Sequence, residues 1–177
     1  MANYYYFVSS LPSLKLDNPG MSVDKFLLDA KYQLSSKDYN SLLCAVENRI
    51  DKKTSRFVQN YTHFKTMVEK EVNHQRAIKL GLDDSSYINN GDKAAEISDK
   101  IKTAMNSDPL KAENIIINLY WNYLENNVGV GNCFDITYII SYALRLQILS
   151  RLTLFSTKKG ENEFNDLFNN LKTEIFK

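Results

Sequence analysis

The run from Phe134 to Phe155, FDITYIISYALRLQILSRLTLF, most limits what this chain can become. It is the longest strongly apolar stretch. Ile136, Ile139, Ile140, Ala143, Leu144, Leu146, Ile148, Leu149, Leu152 and Phe155 would cover most of a helix circumference. A helix apolar nearly all round is buried on most sides. Arg145 and Arg151 interrupt it, and a membrane span needs about 20 apolar residues, so it does not read as a span. Asp135 stands where a carboxylate can accept from the unpaired N–H groups of a first turn. The spacing predicts an all-α fold of about six helices packed around a central apolar helix over 134–156.

At 177 residues the chain reads as a single helical domain, large enough to bury a core without staples. Three parts are expected within it: an extended arm over 1–20, N-terminal helices over 22–81 and C-terminal helices over 92–177. The net charge of +1 provides no general field to gather nucleic acid or anionic lipid. Two cysteines, Cys44 and Cys133, fit a reducing compartment better than a disulfide framework. The opening MANYYYFVSSLPSL lacks the basic-then-apolar order of a signal peptide, so the expected location is the cytoplasm.

Taken in order, the aromatic segment 3–9 reads as a short strand or an extended arm, and a lone strand has no partner here, which favours the arm. Pro12 pushes its predecessor out of the helical region. Ser22 caps a first helix ending near Leu34, and Ser36 a second running to about Ile50. The longest helix runs from Thr54 to about Leu80, with Phe57, Tyr61, Phe64, Val68, Val72, Gln75 and Ile78 as its stripe. Gly81 follows where a left-handed residue closes a helix. Asp92 caps the next helix, and Asp108-Pro109 starts another that reaches Asn126. A last helix, Glu161 to about Phe176, carries Phe164, Leu167, Phe168, Leu171 and Ile175.

The search for chemistry is sparse. Glu71 and His74 form one Glu-x-x-His, but a di-iron bundle needs two such motifs, and His63 has Asn60 where the second Glu would stand. No metal site is expected. Gly129-Val130-Gly131 lies in Asn126–Asn132, a segment with no basic residue, and Arg145 stands ten positions past Asp135. That reads as a helix–helix turn rather than a phosphate loop. No nucleophile motif and no aromatic-basic nucleic-acid motif occurs. The unusual charges are Arg145 and Arg151. They read either as partner-binding arginines or as stems covering apolar surface with heads reaching water or a carboxylate, with Glu125 and Asp135 as counter-charges.

Several segments together resemble a known family. These are Asn3 to Leu14, Phe64 to Gly81, Asp108-Pro109-Leu110, Leu119 to Leu124, Phe134-Asp135-Ile136, and Tyr142 to Leu152 followed by Lys159-Gly160. In this order they are similar to a bacterial family of small proteins encoded among V-type ATPase subunits. That family in turn looks distantly like the V-type ATPase subunit named C in prokaryotes and d in eukaryotes. The family often has Trp where Leu152 stands and is often longer between Gly81 and Asp108. The resemblance implies an all-helical, non-catalytic part that joins the central stalk to the membrane ring in ion transport. It implies stalk or ring subunits as partners, attachment to the membrane only through the complex, and no cofactor. Two other classes remain: a helical protein–protein adaptor or assembly factor unrelated to the rotor, and a small helical enzyme with a spatially assembled site.

Overall fold

The structure is a computed structural model and describes residues 4–15, 20–49, 55–89, 94–154, 164–169 and 172. The fold is all-α. Seven α-helices are defined among the described residues: α1 (Tyr5–Ser10), α2 (Val23–Gln33), α3 (Ser36–Val46), α4 (Arg56–Leu80), α5 (Ala94–Met105), α6 (Pro109–Asn126) and α7 (Ile136–Leu154). Residues 164–169 are helical as well.

The helix ends follow from capping chemistry. Ser22, Ser35, Ser55 and Asp108 each accept, through the side chain, an N–H from the first turn that has no partner inside the helix. The caps of α3 and α4 are thus Ser35 and Ser55, each one residue from the Ser36 and Thr54 expected. Gly81 closes α4 at φ +64°, with Gly81 N–H donating to Ile78 C=O and Leu82 N–H to Ala77 C=O. That bond pair is the Schellman stop. Asn48 makes the same stop after α3, at φ +55°, with Arg49 N–H on Cys44 C=O. It ends α3 at Val46, short of the Ile50 expected from hydrophobic spacing. The expected cap Asp92 lies outside the described residues, as do Leu171 and Ile175.

The N-terminal segment corrects the expected extended arm over 1–20. Residues 5–10 are helical, and residues 11–15 run without helix. Tyr4, Phe7, Val8 and Leu11 stand at helical spacing and all enter the core cluster, which Tyr5 and Tyr6 obscure in the sequence. A six-residue helix has little stability of its own, so docking makes it. Tyr4 N–H donates to Phe134 C=O at 2.9 Å, and Tyr142 Oη donates to Pro12 C=O at 2.8 Å.

Burial forms two clusters. In the first, α1, α2 and α3 pack on α7 through Phe7, Phe26, Ala30, Leu42, Ile139, Ile140, Ala143 and Leu146. In the second, α4, α5 and α6 meet through Phe64, Val68, Ile97, Ile101 and Leu119. Helices α4 and α6 join them, since Val58 and Leu124 belong to the first cluster while Phe64 and Leu119 belong to the second. Helix α7 is therefore central to the first cluster, and α5 packs on α4 and α6 instead. The stripe expected on α4 shifts at its end, where Ala77 is buried and Ile78 is half exposed. Phe164, Leu167 and Phe168 are exposed. No helix among the described residues is long and apolar enough to cross a membrane.

Candidate functional site

Arg145 sits between Leu144 and Leu146, both buried, near the middle of α7. A guanidinium there must run along the helix surface to find polar company. It lies over Trp121 of α6, 5.3 Å from the ring centroid, a cation–π arrangement. Its Nη1 is 3.8 Å from Glu125 Oε1, and its side chain is only 11% exposed. Its Nε is buried and has no acceptor among the described residues. Arg145 lines a cavity of about 470 Å³ with Glu125, Asn126, Val128, Gly129 and Tyr138. Sequence spacing separated Arg145 from the glycine turn, and the fold removes that separation, since Gly129 and Arg145 line the same cavity.

Arg151 occupies a different place, so the two arginines do not form one site. Its Nη2 contacts Glu113 Oε1 at 2.8 Å, with the side chain 63% exposed. It borders a groove of about 360 Å³ between α4, α6 and α7, floored by Val72, Ile116, Ile117 and Ile148 and edged by Glu69, Arg76 and Glu113. Burial, and after it the Glu69 carboxylate, holds the Tyr120 phenol of this groove well above its ordinary pKa. The same two causes push neighbouring Tyr61 up to about 12. Both phenols keep their protons at neutral pH.

Of the counter-charges expected from sequence, Glu125 does face Arg145, while Asp135 lines a third cavity with Tyr4, Lys37 and Asp38. Glu113 and Trp121 had no sequence signal as partners, being turns of a different helix brought near only by α6–α7 packing. The Glu-x-x-His residues serve the fold. Glu71 is buried, and its Oε1 accepts from Gln75 Nε2 and Ser98 Oγ, each at 2.9 Å, which ties α4 to α5. His74 Nδ1 lies 3.4 Å from Asp84 Oδ2 in the loop after α4. No cluster of three His, Cys, Asp or Glu able to hold a metal occurs among the described residues.

A family model described as a protein of unknown function (DUF2764) matches residues 91–175. That span contains α5, α6 and α7, hence Trp121, Glu125, Arg145 and Arg151, and amounts to a little under half of the chain. No curated protein and no solved structure matches.

Proposed function

We propose that this chain is a non-catalytic structural or coupling component of a V-type ATPase or ATP synthase, acting in the manner of the subunit that links central stalk to membrane ring. Its partners are then stalk or ring subunits, and its place is cytoplasmic and peripheral to the membrane. One observation carries the reading. The segments that resemble the ATPase-associated family are scattered along the sequence, yet several of them meet in space among the described residues, outside which Lys159-Gly160 lies. Tyr4 of the first bonds to Phe134 of another at 2.9 Å, and Pro12 bonds to Tyr142 at 2.8 Å. Phe64 stacks on Tyr123 with ring centroids 4.0 Å apart. Scattered likenesses that assemble one body support a shared fold better than scattered likenesses that do not.

A rotor coupler needs stiff helices joined by broad contacts. Here α4, with 25 residues, spans about 37 Å and enters both hydrophobic clusters. The alternative, an adaptor or assembly factor unrelated to the rotor, draws on the exposed Ile78, Leu80, Leu82 and Leu110. Removing the chain from a cell that carries the ATPase separates the readings. The coupling role predicts loss of ATP-driven ion transport or of complex assembly, with isolated catalytic subunits still hydrolysing ATP. Transport and assembly at the normal level would reject it.

A further inference from the structure

The geometry points to the cavity beside Arg145 as a binding site for a carboxylate. This stands on the geometry of α6 and α7 and is independent of any role in an ATPase. A guanidinium carries five N–H donors in a fixed planar fork. Burying it is costly unless those donors find acceptors. The Arg145 side chain is 11% exposed, yet among the described residues its Nε has no acceptor and its nearest carboxylate, Glu125, stands off at 3.8 Å. A charge-assisted pair closes to about 2.8 Å. Glu125 is itself 58% exposed, so it holds the arginine loosely and can swing into water. Trp121 lies against the guanidinium at 5.3 Å from the ring centroid, a contact that satisfies none of its N–H donors with an oxygen.

The cavity of about 470 Å³ is the size of a small-ligand pocket, with Val128 and Tyr138 offering an apolar wall beside the charge. An entering carboxylate pairs with the Arg145 guanidinium in place of Glu125, and its apolar body lies against that wall. Phosphate fits less well. Arg145 is the one cation lining the cavity among the described residues, and Glu125 lies beside it. A dianion there meets one positive charge and one negative.

Trp121 is the only tryptophan in the chain, so its fluorescence reports on this site alone. The full chain is titrated with 3-phenylpropionate, with the peptide acetyl-Leu-Glu-Leu-amide, and with the uncharged amide counterpart of each. The proposal expects a saturable tryptophan response to at least one carboxylate, none to its amide, and no competition from equimolar inorganic phosphate. A response to phenylpropionate alone assigns a small free acid, one to the peptide alone assigns an acidic side chain of a polypeptide, and one to both assigns the carboxylate itself. Arg145→Gln should weaken binding at least about tenfold. Glu125→Gln removes the resident competitor from an exposed position, and should tighten binding by about two- to fivefold. Absence of any saturable response up to about 10 mM, a level already near the weak end of useful affinity, overturns the proposal. So does an equal response to the amides, displacement by phosphate, or binding that Glu125→Gln leaves unchanged or weakens.

Discussion

Two tyrosines hold the N-terminal segment to the rest of the molecule, and both do so through the hydroxyl. Tyr4 Oη donates to Asp38 Oδ2 at 2.5 Å and accepts from Ser35 N–H at 3.3 Å. Ser35 in turn caps α3 by accepting from Asp38 N–H. In a capping box the third helical residue satisfies the cap residue's own N–H. Here the Asp38 carboxylate accepts from Tyr4 Oη and Ser35 Oγ instead, and Tyr4 supplies the missing acceptor. Tyr4→Phe should therefore cost about 1–2 kcal/mol in denaturant unfolding, since the carboxylate loses a donor and Ser35 an acceptor. Unchanged stability would show that water replaces the phenol without loss. Tyr142 answers to pH. Burial, followed by neighbouring Tyr138, raises its pKa from 10.0 to about 12. A raised value in the folded state means that the stability tied to the proton is complete below pH 10 and is lost as pH climbs toward about 12. The stability gap between the native chain and Tyr142→Phe should be flat below pH 10 and narrow above it; a gap that persists to pH 12 contradicts the assignment.

Helices follow the sequence closely where local chemistry decides, and depart from it where packing does. The Asp108-Pro109 start and the Gly81 stop are read correctly from the chain because a cap depends on residues within one turn. Gly81→Ala meets no neighbouring atom, so its cost is purely that of a Cβ at φ +64°, about 1 kcal/mol in thermal unfolding. A much larger loss would mean that Gly81 also makes a close contact. By contrast, α1 is held as a helix by docking, with Phe7 reaching Phe26 and Tyr4, Val8 and Leu11 beside it, and no local signal carries that. The same limit explains the site. Arg145 and Arg151 are conspicuous as charges in an apolar helix, but Trp121 and Glu113 become their companions only when α6 packs on α7. The burial of α7 can be measured directly. Ile140→Ala and Leu146→Ala each remove a fully buried side chain and should cost about 2–5 kcal/mol, whereas Leu82→Ala, at an exposed position, should cost under about 0.5 kcal/mol. Equal effects at the three sites would contradict the core described.

At the scale of the whole molecule, the two clusters share α4 and α6, so displacement of one is passed to the other through continuous helices rather than through a loop. Glu71 reinforces the second cluster by binding Ser98 across the α4–α5 contact, and Gln147 reinforces the first by donating to Val46 C=O at the end of α3. Such a body is suited to bearing load between partners, which is the core of the proposed role. The decisive measurement is affinity capture of the tagged full chain from its native cells under gentle conditions, with mass spectrometry of what accompanies it. The account predicts V-type ATPase stalk or ring subunits in reproducible, near-stoichiometric amounts. Capture of other proteins in such amounts, with no ATPase subunit above the level of an untagged control, would contradict it.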